Sequence, residues 1–124
     1  MRDISNRQKT AVVLAGSEGL GLAAAQCLGE DGHRVVIFSR SKENLEVAEA
    51  LFAARGREAH MFRGDLTSAE DLEGVFGLVD AQYGGADILV NNTGGPPPGS
   101  LFDLSDDDWR AAFEAQALSL MRAI

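Results

Sequence analysis

Alternating apolar runs and helical patterns predict an α/β protein: a doubly wound parallel sheet, helices on both faces, strand order 3-2-1-4. Three observations carry this. The 124 residues read β-α-β-α-β-α-β-loop-α. The strand candidates are nearly continuous apolar runs, as expected of strands covered on both faces. Right-handed crossovers then set the first strand between the second and the fourth. Ligands are expected at the carboxyl ends, where the strand order reverses.

Each element has its own signal. Residues 1–9 are a polar lead-in to strand one, Thr10–Ala15. Helix one runs from about Gly19 to Glu30. Leu20, Ala23, Ala24, Cys27 and Leu28 share a face, so Cys27 is expected to pack rather than react. Gly32 ends that region. Strand two is Arg34–Ser39. Ser41 reads as the N-cap of helix two, which continues to about Arg55 on a stripe of Leu45, Ala48 and Phe52 and stops at Gly56. Strand three is about Glu58–Arg63, followed by a Gly64–Thr67 loop. Helix three opens with Ser68 as cap and Asp71 three places on, a carboxylate variant of the capping box. It buries Leu72, Val75, Phe76 and Val79 and ends near Tyr83-Gly84-Gly85. Strand four is Asp87–Asn91. The loop from Asn92 to Ser100 carries three prolines and no regular pattern. Helix four is capped by Ser105, with Asp106, Asp107 and Asp108 complementing its dipole. Trp109, Ala112, Phe113 and Leu120 share a face, and the pattern still runs at Ile124.

Composition bounds the function. The length suits one domain over residues 1–124. Hydrophobic content of 45% and charged content of 24% are those of an ordinary globular protein. The net charge of −8 would repel a phosphate backbone, so no nucleic-acid partner is expected. No apolar run is long enough to span a bilayer, and Met1–Lys9 has no apolar stretch of the secretory kind. No membrane association and a cytoplasmic location are therefore expected. The single Cys27 forbids an internal disulfide framework, and with His33 and His60 it offers no metal-ligand spacing.

The stretch Leu14-Ala15-Gly16-Ser17-Glu18-Gly19-Leu20-Gly21 joins a strand to a helix. Such a joint aims free backbone N–H groups at a phosphate. Gly16 and Gly19 can bend the chain into the turn without a side-chain clash, and Gly21 removes bulk where helix meets strand. A plain tight turn is the alternative. No Lys-Ser/Thr comes after the turn, which argues against a nucleoside triphosphatase loop. Ser39-Arg40, the Asp65 loop and Asn91–Gly95 all belong at the same edge of the sheet. Asn91 and Asn92 end a buried strand, and their amides need partners.

Four of these stretches together resemble the short-chain dehydrogenases/reductases. Gly16-Ser17-Glu18-Gly19-Leu20-Gly21 is similar to the family's glycine motif, Thr-Gly-x-x-x-Gly-x-Gly. Asp65-Leu66-Thr67 is similar to its acidic turn after strand three. Asn91-Asn92-Thr93-Gly94 is similar to Asn-Asn-Ala-Gly. Trp109–Leu120 is similar to the start of its long interface helix. The 3-oxoacyl-reductase-like subfamily is the one most suggested. The resemblance implies a Rossmann-type fold and covers about the first half of a typical member. There are departures: Leu14 and Ala15 fall at the family's Thr and first Gly, Gly16 supplies the glycine one position late, and Thr93 replaces Ala.

The resemblance implies a dinucleotide held by Ala15, Gly16, Ser17, Glu18, Gly19, Leu20 and Gly21. Asp65 and Leu66 would meet the adenine; a helix-approach turn is the alternative role for Asp65. Asn92, Thr93 and Gly94 would pass beside the ribose, while Asn91 braces neighbouring strands. Strand two ends in Ser39-Arg40 rather than an acid, and the Arg40 fork suits a ribose 2′-phosphate. Glu18 would repel that phosphate. NADP is the expected cofactor, with NAD left open.

The family's chemistry rests on Tyr-x-x-x-Lys with a Ser and often an Asn. This sequence has one tyrosine, Tyr83, and no Tyr-x-x-x-Lys. Gln116 aligns with the family's helix-four Asn. The expectation is the cofactor-binding half of a carbonyl reductase or alcohol dehydrogenase, inactive alone. The alternative is a non-catalytic dinucleotide-binding or assembly module. Strand four and helix four would leave apolar surface bare, so a homo-oligomer, or pairing with a full-length relative, is expected.

Overall fold

The computed structural model describes residues 8–93 and 104–124, and of Ala115 and Gln116 the backbone alone. Four strands form one parallel sheet: β1 (Thr10–Leu14), β2 (Arg34–Ser39), β3 (His60–Arg63) and β4 (Ile88–Val90), in the order β3-β2-β1-β4. Between them lie α1 (Gly19–Glu30), α2 (Lys42–Ala54) and α3 (Ala69–Tyr83). After β4 come α4 (Asp106–Phe113), a π turn (Glu114–Leu118) and α5 (Ser119–Ala123). The predicted fold class and strand order hold. β1 and β2 pair from Thr10↔Arg34 to Leu14↔Phe38, and β2 and β3 from Val36↔His60 to Ser39↔Arg63.

The two central strands are buried on both faces because they carry unbroken apolar runs, Ala11–Leu14 and Val35–Phe38. Val12, Leu14, Val36 and Phe38 pack with Leu72, Val75 and Val79 of α3 and with Ala123 of α5. The alternate residues Val13, Val35 and Ile37 pack with Ala25 of α1 and with Leu45, Ala48 and Phe52 of α2. The predicted stripe of α2 is therefore its buried face. α3 also buries the stripe expected of it, with Phe76 partly covered. It ends where Gly84 turns left-handed at φ 78 and donates to the Asp80 carbonyl.

Four expectations need correction. First, α1 buries Gly21, Ala25 and Gly29, not the face through Leu20 and Cys27. Cys27 is exposed, and Leu20 is 88% exposed. The helix is small and apolar all round, so its periodicity is weak; it settles so close to the sheet that positions without bulk must face inward. A Cβ on Gly29 would come within 3.0 Å of the Phe52 ring. Second, the Ser68 box is half formed. Ser68 Oγ accepts from the Asp71 amide at 3.2 Å, but the Asp71 carboxylate accepts from the Asp65 amide at 2.9 Å. The reciprocal box occurs instead at Ser105 and Asp108.

Third, helix four is not one regular helix. The π turn adds a residue and rotates the α5 segment about the helix axis, so Ser119 and Ala123 face the core. The face through Trp109 and Phe113 is bare, as expected: they are 48% and 58% exposed. Fourth, β3 and β4 are shorter than predicted, and β1 stops at Leu14 because Ala15 already belongs to the turn. Gly94 and the three prolines lie outside the described residues.

Side chains on opposite faces of α2 differ sharply in burial, which gives a direct check on this packing. Phe52 is 2% exposed and Val47 58%. Phe52→Ala is expected to cost about 3–5 kcal/mol, and Val47→Ala less than about 0.5 kcal/mol, in urea unfolding.

Candidate functional site

The joint between β1 and α1 lies at the carboxyl edge of the sheet, and its geometry differs from the expected one. Gly19 is left-handed, at φ 58, as expected of a bend. Gly16 is not. The other left-handed residue in the turn is Ala15, at φ 50, a region that L-residues avoid at a cost of about 1–2 kcal/mol. Gly16 is needed for its size: a Cβ there would lie 2.9 Å from Val13 Cγ1 and 3.1 Å from Ile37 Cγ2. Its amide donates to the Phe38 carbonyl at 3.3 Å, tying the turn to β2. Gly21 is tighter still, since a Cβ there would stand 2.3 Å from the Ala15 carbonyl oxygen. The expectation that Gly21 permits close helix–strand approach holds, and Gly16 avoids a side-chain clash as expected, while the left-handed bend falls to Ala15.

Glu18 is the extended residue before α1, and its side chain makes no capping bond. Ser17 does not cap either. Its hydroxyl is buried and lies 2.7 Å from Ser39 Oγ, pinning the turn to the end of β2. The first amides of α1 have no carbonyl within the helix to bond, so they present a concentration of donors at this edge.

The turn, the end of β2, the Asp65 loop and the end of β4 surround one cavity of about 620 Å3. Of the predicted residues, Ala15, Ser17, Glu18, Gly19 and Leu20 line it on the turn side. Ser39, Arg40, Asp65 and Leu66 form the opposite wall, and Asn92 and Thr93 the third. Gly16 and Gly21 stand behind the lining, where their missing side chains let the wall close up. Gly94 lies outside the described residues, as does the side chain of Gln116, whose backbone sits in the π turn.

Asn92 Nδ2 donates to the Ala15 carbonyl at 3.4 Å, so the end of β4 steadies the strained turn. Asn91 does not brace a neighbouring strand. Its Nδ2 donates to the Leu120 carbonyl of α5 at 3.0 Å, and its Oδ1 is buried with no partner among the described residues. Arg63 Nε donates to the Arg40 carbonyl at 3.2 Å and anchors the backbone from which the Arg40 side chain projects.

Asp65 is held in a turn of its own. Its Oδ1 accepts from the Thr67 hydroxyl at 2.7 Å and the Thr67 amide at 2.9 Å. These two bonds, with the Arg40 guanidinium as a smaller contribution, hold its carboxyl below the usual aspartate range. The helix-approach reading of Asp65 is therefore realised, while the residue also lines the cavity. Sequence reasoning left out Phe38, Ser41, Asn44, Gly64 and Thr67 as lining residues. Asn44 had a signal: its amide donates to Ser41 Oγ at 3.1 Å, so it stands in the first turn of α2 directly after Arg40. Thr67 had one in the Asp-x-Thr spacing of an Asx turn. Gly64 had none, because its role is to leave room for the Phe38 ring, 2.5 Å from where a Cβ would be.

Stability measurements check this geometry. Ala15→Gly is expected to raise stability by about 1 kcal/mol or less, since relief of strain exceeds the added freedom of the unfolded chain. Gly21→Ala is expected to lower it by more than about 2 kcal/mol; thermal unfolding reads both. The lowered Asp65 pKa adds stability that is complete above the ordinary aspartate range and is lost as pH falls through the depressed value. Thr67→Val is expected to shift that loss to higher pH in acid unfolding.

Comparison with known proteins agrees with this architecture. The short chain dehydrogenase family model matches residues 9–124. A 2,3-dihydro-2,3-dihydroxybenzoate dehydrogenase of Bacillus subtilis is 29% identical over 115 residues, covering 93% of this chain and 44% of its own length. The solved structure of L-sorbose reductase from Gluconobacter frateurii with NADPH and L-sorbose superposes with a TM-score of 0.84 at 29% identity, covering 94% of this chain and 44% of that one. A variant of actinorhodin polyketide ketoreductase with NADPH gives 0.87 at 31% identity, covering 94% and 44%. The chain spans less than half the length of these relatives. With its parallel sheet, glycine turn and edge cavity in the family's order, the chain belongs to the short chain dehydrogenase family.

Proposed function

We propose that these residues seat an NADP-type dinucleotide in the carboxyl-edge cavity, as the cofactor-binding part of a carbonyl reductase or secondary-alcohol dehydrogenase. The observation that carries this is the convergence of the α1 amides, Arg40, Asp65 and Asn92 on one cavity of about 620 Å3. The pyrophosphate would rest against the α1 amides, where Gly21 lets the helix approach and Glu18 makes no capping bond that would compete. Arg40 would face the ribose 2′-phosphate. Asp65 and Leu66 would meet the adenine, and Asn92, Thr93 and Gly94 the second ribose. The two NADPH-bound relatives support this choice of cofactor. The bound cofactor would supply the hydride; the residues of this chain bind and orient it.

The sequence holds no Tyr-x-x-x-Lys, and its one tyrosine lies elsewhere. Tyr83 ends α3 at the far edge of the sheet, beside His60 and under Arg34. The reading is therefore binding without hydride transfer by these 124 residues. Glu18 is the feature that favours NAD, since a carboxylate in the same cavity repels a 2′-phosphate.

A partner is proposed on separate grounds. Trp109, Phe113, Met121 and Ile124 are 48%, 58%, 69% and 93% exposed along α4, α5 and the last residue. β4 pairs only with β1 among the described residues, so its other edge is open. A second copy or a full-length relative would cover this surface.

Calorimetric titration checks the cofactor reading. NADPH is expected to bind more tightly than NADH, and Arg40→Ala to lose about tenfold or more for NADPH with little change for NADH. Equal NADPH binding by both forms overturns the role given to Arg40. Glu18→Gln is expected to strengthen NADPH binding. Size-exclusion chromatography with light scattering checks the partner reading: a dimer or larger species is expected, and a stable monomer refutes it.

A further inference from the structure

The opposite edge of the sheet carries a second groove, of about 510 Å3. It lies among the amino ends of β2 and β3 and the carboxyl ends of α1 and α3. Its charged and ring side chains are unusual for this molecule. The whole chain carries a net charge of −8, yet Arg34 and Arg57 both line the groove. So do His33 and His60, the only two histidines in the sequence.

The two guanidiniums are fixed in place without being neutralised. Arg34 lies 4.3 Å over the Tyr83 ring and donates to Thr10 Oγ1 at 3.2 Å. Arg57 donates to the Gly29 carbonyl. Neither has a carboxylate partner among the described residues, whereas Arg55, Arg110 and Arg122 each do. A guanidinium offers five N–H donors, so most of theirs remain for a ligand. His60 Nδ1 is 3.4 Å from the Tyr83 hydroxyl, which holds the ring at the groove wall. The exposed Glu58 is the one carboxylate among the lining residues. The carboxyl end of α1 is also here and repels anions, but Arg57 bonds to that end and offsets it.

We propose that this groove is a second ligand site, for a small multivalent oxyanion of the phosphoryl class. Paired guanidinium forks match the oxygens of such a group, and imidazole N–H donors add to them. The site is at the other end of the strands from the dinucleotide cavity and does not depend on that cavity's assignment.

The histidines provide the test. Both belong to this groove, and none lines the other cavity. The imidazole resonances of His33 and His60 are followed by NMR while inorganic pyrophosphate is added at constant pH, with sodium chloride matched for ionic strength as the control. Saturable shifts of both rings are expected. The Arg34→Gln/Arg57→Gln variant is expected to weaken the apparent affinity by about tenfold or more. Shifts no larger than those in chloride overturn the proposal. So do shifts confined to the amides of Gly16–Gly21, which would place pyrophosphate only at the glycine turn. If the double variant loses its folded spectrum, Arg57→Lys serves instead: it keeps the charge and loses the fork, and an affinity equal to that of the parent overturns the proposal.

Discussion

The contact on which the site depends is between the Ala15 carbonyl and the backbone of α1 at Gly21. A single methyl group at Gly21 would reach 2.3 Å from that oxygen, a distance no packed structure tolerates. The approach is what lets α1 begin directly over the end of β1, with its unbonded amides at the sheet edge. It also explains why the chain accepts a left-handed alanine. Ala15 must point its carbonyl at Gly21, and Asn92 then donates to the same oxygen. The strain is local, and the two contacts that hold it come from elements far apart in sequence. Such strain persists when its surroundings over-determine it.

The sheet was legible in the residues because its signal is coarse. Val12–Leu14 and Val35–Phe38 are apolar at every position, and such short, largely β-branched runs between turn residues mark strands covered on both faces. The order 3-2-1-4 came from the hand of the crossovers, which depends on no single side chain. The face of α1 was not legible, because Gly, Ala and Leu alternate without a polar side to define the other. What decided it was how closely the helix could approach the sheet, a property of two elements together. The left-handed Ala15 was not legible for a related reason. Glycine is the usual residue for that conformation, and nothing in an alanine's own sequence position marks it for one, whereas the clearance that Gly16 supplies beside Val13 and Ile37 follows from its lack of a side chain. The candidate site was read more fully than its geometry: the lining is set by strand ends, which pattern locates, whereas Gly64 and Phe38 fit together only in three dimensions.

The last helical segment joins the exposed apolar face to both walls of the cavity. Asn91 Nδ2 reaches the Leu120 carbonyl, and the next residue, Asn92, holds the glycine turn. On the other side Arg122 pairs with Glu114 and lies 3.5 Å from the Thr67 carbonyl, while the Thr67 amide and hydroxyl fix Asp65. The π turn makes both links available, because it turns Ser119 and Ala123 inward and so presents the α5 backbone to β4. The exposed Trp109 and Phe113 lie on α4, which the π turn joins to this segment. The buried Oδ1 of Asn91 marks the same junction. Leaving an acceptor unpaired costs about 1–3 kcal/mol.

The charges in the cavity limit what it can bind well. Arg40 is the only cation among the lining residues, and it faces two carboxylates, Glu18 and Asp65. Asp65 is already committed: Thr67 satisfies one of its oxygens twice, and that commitment, more than Arg40, keeps it ionised. Arg40 is thus left largely free to meet an incoming anion. A ligand with a phosphate on the β2 side gains the guanidinium fork and loses to Glu18 only through distance-dependent repulsion, which solvent and salt weaken. A ligand without that phosphate gains nothing from Arg40. The balance therefore turns on separation: a short charge-assisted bond outweighs a longer repulsion in water, because the bond is local and the repulsion is screened.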